Sequence, residues 1–373
     1  MKLKYPKQSY LTFHKQPLAG TSFRNWIHVL LDNKCRIDWQ FIPKALYVTG
    51  MVCALTPLRY IEKKKFDPKI KDVDVKKPVF IIGHWRSGTT FMHYLLGHDT
   101  TLGYCSTMQT LDPSIFLNYE SLLRKIVARR LPQVRPMDNL ELQTDLPYED
   151  EYAIANLSPY SFYHAWYFPR SLHWYLTKYV LHEDLSSKET EKWKDVYSYF
   201  LQKLTYYYHG KQLLIKSLVN TAKIKILLEM YPDARFIHLY RNPYDVYLST
   251  WKLYSSILPD FSFQHIDKDT LDTQILTIYK KMYQQYFKQR SLIPHDNVME
   301  ISYEDFTTHP LQTVQQIYKQ FDIPSFSHAK PAFEQYIKSH ESYIKNNHEL
   351  TDEIKDKVSK EWGFVFQEFN YPL

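Results

Sequence analysis

The stretch Val79–Leu96, VFIIGHWRSGTTFMHYLL, holds the residue types that bind an oxyanion, at a spacing that lets them converge. Val79, Phe80, Ile81 and Ile82 form a short apolar run that reads as a buried strand. His84-Trp85-Arg86-Ser87 make a turn closed by Gly88, and from Thr89 onward Phe91, Met92, Leu95 and Leu96 recur at helical spacing. In such a strand–loop–helix corner the loop N–H groups and the helix N-terminus point at one anion, and the helix dipole favours its charge. Of the 8 glycines in the chain, Gly83, Gly88, Gly97 and Gly103 lie in or just after this stretch. Gly83 and Gly88 stand where the backbone must bend and approach an oxyanion without a Cβ in the way. The candidate anion-binding residues are therefore Gly83, Trp85, Arg86, Ser87, Gly88, Thr89 and Thr90. The glycine spacing is that of a nucleotide P-loop, but the lysine that would hold the β- and γ-phosphates is replaced by Thr89, and the cation sits inside the loop as Arg86.

Two more cations follow the same rule. Leu213-Leu214-Ile215 reads as a strand ending at Lys216, and Phe236–Tyr240 as a strand ending at Arg241. Asn242-Pro243 then opens a helix with proline at its first position, Asp245 in its first turn and Ser249 two turns in. Strand–helix–strand at this spacing implies parallel strands joined by right-handed crossovers, whose C-terminal edge is the ligand edge. Arg86, Lys216 and Arg241 all fall just beyond strand C-termini.

GHWRSGTT resembles the 5′-phosphosulfate loop of sulfotransferases that use 3′-phosphoadenosine 5′-phosphosulfate (PAPS). It is most similar to a bacterial branch with Trp-Arg where the cytosolic steroid and phenol enzymes carry Pro-Lys. FIHLYRNPYDVYLST, with Arg241 and Ser249, resembles the family's second motif. The resemblance runs from about Pro78 to the C-terminus. It implies a P-loop-like three-layer α/β/α fold with a central parallel sheet, and PAPS as co-substrate with no metal. It also implies roles: Arg86 and the loop backbone on the phosphosulfate, Lys216 on the bridging or leaving oxygen, Arg241 and Ser249 on the 3′-phosphate. A basic segment before the last helix closes over the cofactor in the family, and Lys345 and Asn346 match it in position.

The elements that must carry these residues divide the chain into a helical, basic extension over 1–75 and an α/β domain over 76–373. Within the domain, 99–190 interrupts the strand–helix rhythm with a mostly helical insertion that shows no clear strand signal and should build the acceptor side of the site. The insertion contains Glu149, Asp150 and Glu151 behind Pro147, which reads as a helix start with acids in the first turn. Because the next turns are apolar and aromatic, one acid should face inward, and Glu149 or Glu151 is the candidate general base, with His164 beyond them. The family's usual base positions hold other residues here: Cys105–Met108 and the neighbourhood of Pro147. Later expectations are helices from about Thr270 to Arg290 and from Pro310, a strand Val298–Ser302, and a last helix from Thr351 ended by Gly363.

The 373 residues carry 47 Lys and Arg against 40 Asp and Glu, a net charge of +7 spread along the chain. That excess suits an anionic cofactor and does not indicate nucleic acid. Three cysteines without metal spacing fit a reducing compartment, and the start of the chain lacks a signal-peptide pattern, so the expectation is a cytoplasmic enzyme. The apolar run 45–58 is too short to span a bilayer; it reads as a buried helix, with peripheral membrane contact as the second reading.

With 32 Tyr, 21 Phe and 8 Trp, and Tyr160, Phe162, Tyr163, Trp166, Tyr167 and Phe168 close together in the insertion, the acceptor should be a small lipophilic alcohol such as a sterol or steroid. A carbohydrate is the alternative acceptor. Outside this class, a P-loop kinase or NTPase would need a lysine at Thr89 and a Mg²⁺-holding aspartate, and a non-catalytic anion-binding module would need neither Lys216 nor an inward acid.

Overall fold

A computed structural model describes residues 3–129, 131, 134, 140–340 and 350–373. The chain forms two compact units, each assembled from three separate stretches. The first unit comprises Met1–Asp74, Cys105–Gly210 and Lys252–Gln274; the second comprises Val75–Tyr104, Lys211–Trp251 and Ile275–Leu373.

The first unit is helical. Helix α1 spans Phe23–Asp32, with the Ser22 hydroxyl accepting from the Asn25 N–H as its N-cap. Helix α2 spans Ile42–Ile70 and continues through Pro57, which removes one backbone donor without ending the helix. Lys44, Arg59 and Glu62 of α2 are all buried, and each is partnered. Lys44 donates to the Pro259 and Asp260 carbonyls, Arg59 pairs with Asp112 at 3.2 Å, and Glu62 with Lys203 at 2.6 Å. Breaking one partner of such a pair strands a buried charge, so these ties fix which face of α2 points inward. The run 45–58 is only half as expected. Ala45, Val48 and Val52 are buried, but Leu46, Gly50, Cys53 and Ala54 face outward.

The second unit holds a five-stranded, all-parallel sheet: β1 Val79–Gly83, β2 Leu102–Tyr104, β3 Gln212–Lys216, β4 Arg235–Tyr240 and β5 Val298–Ser302, in spatial order β2-β3-β1-β4-β5. Every residue of β1 is buried, as the central strand of a parallel sheet covered on both faces must be. From β1 the chain crosses to the edge strand β2 and returns inward to β3, then passes β1 to β4 and runs out to β5, so the connections after β1 and β4 leave in opposite directions. The loop after β1 therefore lies at the topological switch point, where such sheets bind ligands. Helix α3, Thr89–Leu96, follows that loop directly.

Three expectations need correction. The insertion does contain a strand: β2 is 3 residues long and pairs only with β3 at the sheet edge, too short to show a period in sequence. The last helix, capped by Thr351, runs Asp352–Glu368 straight through Gly363, where a Cβ would meet nothing within 4 Å. Pro147 is not the first residue of a helix. It pairs with Ser106 in an antiparallel bridge, and the helix begins at Asp150 with Glu149 at its N-cap.

Candidate active site

The second unit brings the loop and its cations together. Gly83 ends β1 at φ +137°, and a Cβ there would lie 2.3 Å from the Leu239 carbonyl oxygen, so only glycine fits beside β4. The Thr221 hydroxyl clamps this end, accepting from the Gly83 N–H at 2.7 Å and donating to its carbonyl at 2.8 Å. Gly88, at φ +88°, turns the chain into α3, and a Cβ there would meet the Tyr303 ring at 2.4 Å. Arg86 itself adopts φ +75°, a conformation that non-glycine residues take rarely and that clusters at ligand sites.

From this backbone Arg86 Nε donates to Ser249 Oγ at 2.8 Å. Lys216, at the end of β3 and buried, donates from Nζ to Thr90 Oγ1 at 3.0 Å. Arg241, at the end of β4, reaches the Arg86 carbonyl at 3.4 Å and pairs with Asp245 at 2.9 Å, its guanidinium 4.4 Å over the Tyr303 ring. Three cations from three strand ends thus surround the start of α3, with loop N–H groups beside them. Trp85 is buried edge-on against His84. Burial pushes His84 down to about 3, and burial followed by the Lys216 charge pushes His93, on α3, well below the ordinary histidine range. Both imidazoles are neutral near pH 7, so the positive charge here comes from Arg86, Lys216 and Arg241.

Thr221 and Tyr303 are the residues that sequence reasoning missed. Tyr303 follows β5 directly, as Arg241 follows β4, so extending the search at strand C-termini to aromatic residues would have found it. Lys345 and Asn346 lie outside the described residues.

Glu149, Asp150 and Glu151 belong to the first unit, and all three are buried rather than solvated. Glu149 accepts from the Tyr163 hydroxyl, and Asp150 accepts from the Tyr197 hydroxyl at 2.6 Å. Glu151 Oε1 takes the Ser161 hydroxyl at 2.6 Å and the Phe162 N–H at 3.0 Å, which ties down the aromatic loop. His164 is buried with Nε2 3.0 Å from the Ser158 carbonyl, and burial lowers it to about 4. The first unit also contains a mostly apolar cavity of about 160 Å³, lined among others by Leu111, Leu123, Val127, Tyr152 and Ile257.

The model of the Sulfotransferase family matches residues 78–328, a span that includes the loop, Lys216, Arg241 and Ser249. The chain belongs to the sulfotransferase family. It is 29% identical over 357 residues, 95% of this chain and 90% of the relative, to the omega-hydroxy-beta-dihydromenaquinone-9 sulfotransferase Stf3 of Mycobacterium tuberculosis, and equally to that of Mycobacterium bovis. Two solved structures share its fold. Sulfotransferase STF9 of Mycobacterium avium has a TM-score of 0.67 at 18% identity, covering 95% of this chain and 98% of that one. Sulfotransferase STF1 of Mycobacterium tuberculosis has a TM-score of 0.62 at 19% identity, covering 91% and 92%. The sulfotransferase is thus an enzyme of sulfuryl transfer, and the family implies PAPS as donor. A sulfated nucleotide fits the charge of the site, since a polyanion needs the three cations and the loop N–H groups that converge there.

Proposed function

We propose that this sulfotransferase moves the sulfuryl group of PAPS to the hydroxyl of a lipophilic alcohol. In the reaction the acceptor oxygen forms a bond to sulfur, and the bond from sulfur to the bridging phosphate oxygen breaks. Adenosine 3′,5′-bisphosphate leaves, and the acceptor proton passes to a base. By analogy with phosphoryl transfer, the transition state is loose and its charge gathers on the departing oxygen, so preorganised donors carry most of the catalysis. Arg86 and the 87–90 backbone hold the phosphosulfate, Lys216 neutralises the leaving oxygen, and Arg241 with Ser249 takes the 3′-phosphate. Glu149 is the base we assign for testing first; like Glu151 it is buried and hydrogen-bonded, to the Tyr163 hydroxyl.

The observation that carries the acceptor class is the cavity of the first unit. Its walls are mostly aliphatic and aromatic, with a few polar groups such as Gln16, Thr107 and Asp112. A pocket of this kind holds an apolar body by area and orients one polar end. The relative's name, an omega-hydroxy-dihydromenaquinone sulfotransferase, points to a lipid alcohol as well. That favours a long isoprenoid-type alcohol over the sterol or steroid expected from the aromatic residues. The test offers labelled PAPS with a long-chain isoprenoid alcohol, a sterol and an oligosaccharide side by side. Label on the isoprenoid alcohol supports the reading, and label on the sterol alone restores the sterol. Preference for the oligosaccharide overturns the lipid acceptor. Leu123→Trp, which fills the cavity, should raise the acceptor KM and leave that for PAPS unchanged.

A further inference from the structure

Helix α2 is apolar on both faces along its first half, and only one face is covered. Its 45–58 segment contains no charged residue, yet just 22% of its most apolar window is buried within the protein. A helix apolar all round is normally enclosed, and contiguous exposed apolar surface marks an interaction site. On a helical wheel the outward residues Ile42, Leu46, Gly50, Ala54, Pro57 and Ile61 form one stripe. Ile42 is 47% exposed and Leu46 66%. At the two ends stand Trp39, 76% exposed, and Tyr60, 68% exposed. α1, which packs on α2 and is tied to it by the bond from Trp26 Nε1 to Thr49 Oγ1, adds Phe23, Ile27 and Leu31 at successive turns, all exposed.

The charges around this surface are mostly basic, with Asp32 on α1 facing His28 at 3.7 Å. Lys34 and Arg36 are exposed before it, and Lys63, Lys64 and Lys65 after it. The nearby acids are engaged: Asp38 is held by Arg170 and His265, and Asp67 accepts from the Tyr199 hydroxyl. An uncharged stripe ended by aromatic residues and flanked by lysines is the chemistry that anionic bilayers attract. The apolar groups enter the acyl boundary, Trp and Tyr sit at headgroup level, and the ammonium groups meet lipid phosphates.

By length and apolarity alone, Trp39–Ile70 would also serve as a membrane span. The buried ties of Lys44, Arg59 and Glu62 oppose that, because spanning would tear two ion pairs and a carbonyl-bound ammonium from the first unit. We propose that the outward face of α2, with α1 beside it, docks this enzyme flat on an anionic lipid surface. The inward side of the same helix lines the cavity with Met51 and Leu55, so one element would serve both the bilayer and the pocket.

The proposal is independent of the acceptor and donor, and its test uses neither. The full chain is sedimented with vesicles of phosphatidylcholine alone and of phosphatidylcholine with phosphatidylglycerol. Binding should be stronger to the anionic vesicles and should weaken with salt. The double variant Ile42→Asp/Leu46→Asp should lose about tenfold or more in partitioning while melting as the wild type does, since both side chains are exposed. Lys63→Gln/Lys64→Gln should lose affinity for the anionic vesicles only. Should the aspartate variant fold poorly, Cys53 on the outward face, labelled with a polarity-sensitive dye in a Cys35→Ser background, should shift to the blue on adding anionic vesicles. Unchanged partitioning of Ile42→Asp/Leu46→Asp, or a dye that does not respond, overturns the proposal. A dimer that forms without lipid and is abolished by the same variant also overturns it, because a second copy would then be the occupant.

Discussion

Replacing Arg241 by Ala should weaken adenosine 3′,5′-bisphosphate binding and leave AMP binding nearly unchanged. A charge-assisted guanidinium–phosphate pair contributes about 1.5–3 kcal/mol. Before ligand arrives, Arg241 is paired with Asp245, whose side chain is 49% exposed. A pair that open to water is worth about 0.2–1 kcal/mol, and binding the phosphate displaces it. The net loss in Arg241→Ala is therefore about 0.5–2.8 kcal/mol, or about 2–100-fold in Kd. Asp245→Ala should act in the opposite direction, tightening the bisphosphate by up to about fivefold because the competing carboxylate is gone. Calorimetric titration of each variant with both nucleotides measures the ratio directly. Equal losses for the two nucleotides in Arg241→Ala would refute the assignment of Arg241 to the 3′-phosphate, and so would a weakening in Asp245→Ala.

Gly88→Ala forces a Cβ into the Tyr303 ring and a side chain into the left-handed region, which alone costs about 1–2 kcal/mol. It should weaken bisphosphate binding in the same titration, whereas normal affinity would show that the loop does not close on the ligand as drawn. Glu149→Gln should lower kcat by about 10²–10³-fold with little change in melting temperature, as loss of a general base does. Glu151→Ala should instead lower the melting temperature through its two lost buried bonds, by roughly 2–3 kcal/mol of stability, and the reverse pattern would exchange their roles. Burial raises Asp112 to about 6, with Arg59 working against the shift. The folded chain then binds this proton more tightly than the unfolded chain does. Asp112 accordingly has no effect at low pH and is increasingly destabilising as pH rises from about 4 to about 6. Urea midpoints measured across that window should fall for the wild type relative to Asp112→Asn, and parallel curves would contradict the shift.

What sequence could reveal depended on whether the determinants were local. The corner from β1 to α3 was legible because its strand, glycines, arginine and helix start lie within 18 consecutive residues. Lys216 and Arg241 were legible because each ends an apolar run, and the structure brings them around that corner. Tyr303 occupies an equivalent place but was passed over as an aromatic residue rather than a charged one. Its role comes from a close approach to Gly88 and Arg241 that only the folded sheet creates. The edge strand β2 has no periodic signature at 3 residues. Gly363 looked like a stop because glycine favours helix ends, but packing of Val358, Trp362, Val365 and Phe366 carries the helix through it. The burial of Glu149, Asp150 and Glu151 together rests on hydroxyls from Tyr163, Tyr197 and Ser161, partners too distant in sequence to pair by inspection. The half-exposed state of α2 was hidden for a related reason. Composition shows an apolar run but not which face the buried Lys44, Arg59 and Glu62 turn inward.

The most direct measurement is steady-state transfer of labelled sulfuryl from PAPS to a lipid alcohol by the wild type, Arg86→Ala and Lys216→Ala. The wild type should turn over. Each variant should lose about 10²–10³-fold in kcat with a much smaller change in the KM for PAPS, because charge on the leaving oxygen grows only at the transition state. Near-normal kcat in either variant, or a loss confined to KM, would contradict the catalytic role assigned to that cation.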